Sequence, residues 1–202
     1  MLHSWSIFCK LGITIATNDI MKKIGYIVLL ALLTSVSSMA QEINWVTFEE
    51  ALELQKKNPK KIMMDVYTNW CGPCKMLDKN TFHNPDVVKF VNANYYAVKF
   101  NAEGNDVVKY MATTYSNPNY NPDLANRRNG VHELTRALKV SAYPTIVFFD
   151  EEANIISPVR GYQKPQQIEL YLKLFKSDKY KEMTSQDHFN DYYNAFVPEF
   201  KG

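Results

Sequence analysis

The chain has 202 residues, 46% of them hydrophobic, and its 23 basic and 21 acidic side chains leave a formal net charge of +2. That length allows one well-buried domain with appendages rather than two full domains. The balanced charge excludes an electrostatic footprint for nucleic acid, and the abundance of Tyr and Phe argues for a packed globule over a disordered chain.

Met21-Lys22-Lys23, the apolar run from Ile24 to Leu33, and Ser37-Ser38-Met39-Ala40 before Gln41 read as the charged, hydrophobic and cleavage regions of a secretory signal. The run is short for a membrane span, and an uncleaved anchor is the alternative reading. Residues 1–20 precede this second start and read as an over-extended gene start. No Cys follows Ala40 to accept a lipid. The expectation is a protein that is soluble after cleavage near Ala40 and located in the periplasm or another extracytoplasmic space. Cleavage removes Cys9 and leaves Cys71 and Cys74. A bridge between them closes so short a loop that it stabilises little, so the pair reads as reactive rather than structural.

In the expected mature chain, Thr47-Phe48-Glu49-Glu50 has the form of a capping box and opens a helix that runs to about Asn58, ahead of Pro59. Residues 61–67 form an apolar strand interrupted by Asp65. Lys75 to Phe82 reads as helix, and Asn84-Pro85-Asp86 caps and restarts another. Tyr95 to Asn101 is a second strand, followed by helical spacing from Asp106 to Tyr115. The Asn- and Pro-rich residues 116–130 form a loop, and Val131 to Leu138 a short helix. Thr145 to Asp150 and Ile155 to Arg160 pair across a turn, and Pro165 to Phe175 is an amphipathic helix. The order implies an α/β fold with a central mixed sheet flanked by helices. In the extension 177–202, Phe189, Tyr192, Tyr193, Phe196 and Phe200 line one helix face, expected to pack back on the domain, with partner docking as the alternative.

The chemistry centres on Trp70-Cys71-Gly72-Pro73-Cys74-Lys75. A Cys at a strand-to-helix turn faces free amides and the positive end of the helix dipole, which favours thiolate, so Cys71 is the candidate nucleophile. Cys74, one helical turn on, is the candidate resolving thiol and its disulfide partner. Zinc needs a second Cys pair and haem attachment a His after the motif, and neither is present, so no metal or cofactor is expected. His83, His132 and His188 show no ligand spacing and read as surface residues.

These residues, with Ala142-Tyr143-Pro144-Thr145, resemble the thioredoxin superfamily over roughly residues 43–176. Cys74-Lys75-Met76-Leu77, Thr81-Phe82-His83-Asn84-Pro85 and the run from Pro144 to Asp150 resemble, within it, the C-terminal periplasmic domain of the transmembrane thiol-disulfide interchange family. The resemblance implies a thioredoxin-like domain over 41–176, carrying 116–130 as an insertion. It implies a buried Asp65 that accepts the Cys74 proton, and Lys99 beside that acid, for which a solvated strand-end lysine is the alternative. It also implies a cis peptide before Pro144 and a substrate surface of Trp70, Gly72, Pro73, Tyr143 and Pro144, with the Tyr143 backbone pairing an extended segment. Gly161 matches a family glycine that leaves room near the site. Bulky Tyr143 departs from the small or branched residues common there.

The implied activity is protein-disulfide oxidoreduction on protein disulfide substrates, with electrons from a membrane thiol donor. Gly72-Pro73 is the dipeptide of thioredoxin, whose potential of about −270 mV is far more reducing than the roughly −120 mV of the periplasmic oxidant, so a reductase is the first reading. An isomerase, an oxidase and a non-catalytic binding module are the alternatives.

Overall fold

The computed structural model describes residues 42–202. The expected gene-start extension, signal segment and cleavage point lie outside the described residues. Five strands form the main sheet: β1 (Trp45–Val46), β2 (Lys61–Tyr67), β3 (Tyr95–Asn101), β6 (Thr145–Phe149) and β7 (Ile155–Arg160). Their order is β1-β3-β2-β6-β7. β1, β3 and β2 run parallel, while β6 is antiparallel to β2 and β7 to β6. β2 is therefore hydrogen-bonded on both edges, and its residues 61–66 are all buried.

Side chains alternate across the sheet. Ile62, Met64 and Val66 of β2 point to one face, where they meet α1 (Phe48–Lys57) and Leu134 of α4 (Glu133–Ala137). Met63 and, two residues on, Asp65 point to the other, which packs against Leu77 of α2 (Gly72–Leu77), α3 (Pro85–Asn94) and α5 (Pro165–Lys176). Each helix starts at a readable signal. The Thr47 hydroxyl accepts from Glu50 N at 3.2 Å at the start of α1, and Asn84 Oδ1 accepts from Asp86 N and Val87 N before Pro85. After α2 the chain passes through a π-helical turn, Asp78–Phe82.

Three sequence expectations need correction. Residues 106–115 form no helix but a hairpin, β4 (Val108–Tyr110) with β5 (Thr113–Tyr115). Met111 and Ala112 adopt positive φ angles of 48° and 60°, which reverse the chain in two residues. Buried Val108 and Tyr110 flank exposed Lys109, so the strand period wins over the helical one. His132 is no surface residue: it is 0% exposed and caps α4, its Nδ1 accepting from Leu134 N at 3.0 Å and its Nε2 lying 2.8 Å from the Asp106 carbonyl oxygen. In the extension, α6 (Gln186–Ala195) ends before Phe196 and leaves Tyr193 53% exposed. Phe189, Tyr192, Phe196 and Phe200 do pack against the core.

That extension is tied down by charge as well as by aromatic rings. Glu169 of α5 is fully buried and accepts from Glu199 N and Phe200 N at 2.9 and 2.8 Å, with Lys173 Nζ 2.7 Å away. At the start of β2, buried Lys61 pairs with Glu151 at 2.7 Å and Asp178 at 3.0 Å. Glu169→Ala leaves two amides without their acceptor and Lys173 with Glu199 as its remaining carboxylate partner. It is expected to lower stability by about 2 kcal/mol and to speed hydrogen exchange at Glu199 and Phe200; unchanged exchange there would contradict the anchoring.

Candidate active site

β2 delivers the chain from the sheet to the cysteine pair. Beyond Tyr67, residues 68–71 turn, with Cys71 N donating to Thr68 O at 3.2 Å, and Cys71 becomes the N-cap of α2. Its Sγ accepts from Cys74 N at 3.1 Å, so the sulfur occupies the place where the helix start presents free N–H groups. Cys71 and Cys74 are joined by a disulfide, with Cα atoms 5.3 Å apart, and both are buried. Gly72 and Pro73 are exposed beside them, and nothing lies within 4 Å of where a Gly72 side chain would begin.

Beneath the pair is a cleft of about 280 Å³ lined by Asp65, Tyr67, Thr68, Cys74, Asp78 and Lys99, among others. Asp65 and Lys99 are register partners on β2 and β3. Asp65 is 1% exposed, and its Oδ1 has no hydrogen-bond partner among the described residues. Lys99 Nζ instead bonds Asp78 Oδ1, and lies over the rings of Trp45 and Tyr67. Burial drives the Asp65 carboxyl up from 3.8 to about 7; the Lys99 charge opposes that rise and the Asp78 charge adds to it. Sequence reasoning missed Asp78. Its signal was the spacing, because a residue four after Cys74 sits one helical turn on along the same face.

On the other side of the disulfide, Thr145 pairs with Val66, which sets Pro144 at the level where β2 ends. The Tyr143–Pro144 peptide is cis, and Pro144 O accepts from Gly161 N at 2.8 Å. Gly161 has φ +85°, a conformation that favours glycine. Tyr143 meets Trp70 edge-on, ring centroids 6.1 Å apart. Trp70 Nε1 donates to Glu103 Oε2 at 2.7 Å, a second contact that sequence reasoning missed; its only cue was that Glu103 lies just past the carboxyl end of β3. The structure thus brings Cys74, Asp65 and Lys99 together around the cleft, and Trp70 and Tyr143 together above it.

Asp65 makes a pH-dependent test of this geometry. Its folded-state value lies above its ordinary one, so the unfolded chain holds fewer protons between pH 3.8 and about 7 and stability falls as pH rises through that window. Asp65→Asn removes the ionisation. Relative to the parent, it is expected to gain stability above pH 7, by up to about 4 kcal/mol, and to lose that gain below pH 4 in denaturant titrations. A pH-independent difference would contradict the buried titration.

Among the described residues no helix is long and apolar enough to cross a membrane. The thioredoxin-like domain family matches residues 48–176. The thiol:disulfide interchange protein DsbD of Pectobacterium atrosepticum is 28% identical over 144 residues, covering 70% of this chain and 20% of that protein. DsbD of Vibrio vulnificus is 30% identical over 127 residues, covering 63% of this chain and 18% of the relative. The chain thus spans about a fifth of the length of these curated relatives. A thioredoxin-fold protein from Helicobacter pylori superimposes with a TM-score of 0.53 at 15% identity, covering 79% of this chain and 91% of that one, a likeness of fold alone. On the match over residues 48–176, the chain belongs to the thioredoxin-like domain family.

Proposed function

We propose that the protein reduces disulfides of other proteins outside the cytoplasm, using the Cys71–Cys74 pair as a two-electron carrier. The observation that carries this reading is the buried, unpartnered Asp65 carboxyl in the cleft below Cys74, titrating near neutrality. Cys71, capped by the α2 amides, attacks one sulfur of a substrate disulfide. A bond forms from Cys71 to that sulfur, the substrate bond breaks, and the leaving sulfur takes up a proton. Cys74 then gives its proton to Asp65 and attacks Cys71 Sγ. The Cys71–Cys74 disulfide forms and the second substrate sulfur leaves as a thiolate, so two electrons pass to the substrate.

Lys99 and Asp78 position the charge around Asp65. Trp70, Gly72, Pro73, Tyr143 and Pro144 form the surface on which the substrate segment lies, extended along the Tyr143 backbone. The names of the DsbD relatives, thiol:disulfide interchange proteins, support exchange between thiol pairs. The signal-like residues 21–40 support export, with a membrane thiol donor restoring the dithiol.

A redox titration of the purified protein against glutathione or dithiothreitol tests the direction. A potential near thioredoxin's, about −270 mV, fits a reductase, and one near about −120 mV overturns it in favour of an oxidant. Cys71→Ser is expected to abolish disulfide reduction, and retained turnover would contradict its role. From a preformed mixed disulfide on Cys71, the rate of the Cys74 step is expected to rise with pH through about 7, as Asp65 gives up its proton. Asp65→Asn slows that step by about a hundredfold and removes the inflection; a parental rate would remove Asp65 from proton transfer.

A further inference from the structure

Residues 116–130 fold back against Asn69 and Trp70, next to the cysteine pair, on a braced frame. Asn117 Nδ2 donates to Gly104 O and Gly130 O at 2.9 and 2.6 Å. Asn121 and Asn129 exchange two hydrogen bonds, and a side chain at Gly130 would come within 2.5 Å of Asn119 O. Two contacts then fasten this frame to the site: Asn69 Nδ2 donates to Ala125 O at 2.8 Å, and Glu103 Oε2 accepts from Asn129 N at 2.8 Å as well as from Trp70. The result is that the Arg128 guanidinium stands over the Trp70 ring, 5.0 Å from its centroid, while the residue itself stays exposed.

Among the described residues that cation has no ion-pair partner, and no carboxylate lies within ion-pair distance of Arg127 or Arg136. Glu103, the acid under Trp70, is 8% exposed and its Oε2 is taken by two N–H donors. Arg136 of α4 lies close enough to Tyr143 for its charge to act on the phenol, where the Glu103 charge acts in the opposite sense. Two exposed arginines, Arg128 and Arg136, thus act at the Trp70–Tyr143 rim against the one buried carboxylate of Glu103. An arginine held over an aromatic ring with no carboxylate partner has N–H donors to spare, and their fork matches a carboxylate.

We propose that Arg128, held on the face of Trp70 by residues 116–130, is a specificity-determining residue that favours protein disulfides with an aspartate or glutamate beside the attacked cysteine. This rests on the reading of Cys71 as the nucleophile and deepens it, since it names the chemistry of the preferred substrate.

The test uses two synthetic peptides, each closed by one disulfide and differing only in Glu or Lys next to the attacked cysteine. The reduced protein is mixed with each in a stopped-flow instrument and the second-order rates compared. The Glu peptide is expected to react about three- to fivefold faster at low salt, as an exposed ion pair allows, and the ratio to shrink in 0.5 M NaCl, where screening shortens to a few ångströms. Arg128→Lys keeps most of the preference, Arg128→Gln abolishes it and Arg128→Glu inverts it. Equal parental rates on the two peptides, or an Arg128→Glu variant that slows both alike, would overturn the proposal while leaving Cys71 chemistry intact. Reaction with neither peptide overturns the nucleophile assignment and the proposal with it.

Discussion

An ionised carboxylate inside a sheet is disfavoured because neither neighbouring strand nor covering helix can replace its water. Asp65 sits in that position, on the strand hydrogen-bonded along both edges. Slipping β2 by one residue would turn the acid to the opposite face, but would also move Ile62, Met64 and Val66 off the face they share with α1 and α4. The hydrophobic pattern of the strand therefore pins the acid beneath Cys74. A group held in this way exchanges a proton near neutrality, beside a thiol that must lose one. On the proposed function, the fold keeps a destabilising residue at the point where its instability is chemically useful.

The two sides of the disulfide do different work. Below it, Asp65, Lys99 and Asp78 form an enclosed set in which the lysine bonds one acid and offsets the charge of the other. Above it, Trp70 is braced edge-on by Tyr143, hydrogen-bonded by Glu103 and covered by Arg128. On the proposed function, proton handling is internal and recognition external, built from residues contributed by separate loops. Changes in residues 116–130 can thus alter the outer rim without disturbing the buried acid.

Much of this was legible in the sequence because the signals were local. Four of the five main strands, all but β1, and the caps at Thr47 and Asn84 follow from apolar runs and N-terminal residues, and the mixed sheet follows from their order. The cysteine pair, Asp65 and Pro144 were found through motif spacing and family resemblance. What failed was non-local or ambiguous. Val107, Met111 and Tyr115 share a helical spacing, but the positive φ angles at Met111 and Ala112 make a hairpin there. His132 carries no mark of burial in its neighbours, since its ring is enclosed by the edge-on Phe100 and the distant Asp106 carbonyl. Arg128 gave no signal at all, because the contact that matters depends on how residues 116–130 fold, and that is set by asparagine side chains bonding backbone across the loop.

The extension bears on a different end of the molecule. Lys61, which pairs with Asp178, begins β2, whereas the cysteines follow its last residue. At about 3.3 Å per residue, Lys61 lies roughly 13 Å from Asp65 along the strand. The charges that move the Asp65 carboxyl are those of Lys99 and Asp78, and Lys61, Glu151 and Asp178 are not among them. The charges that fasten the extension therefore have little reach to the Asp65 titration. Its aromatic residues complete the core on the α3 and α5 face, so the extension acts on the redox chemistry through the stability of the sheet that carries Asp65, and not through the electrostatics of the site.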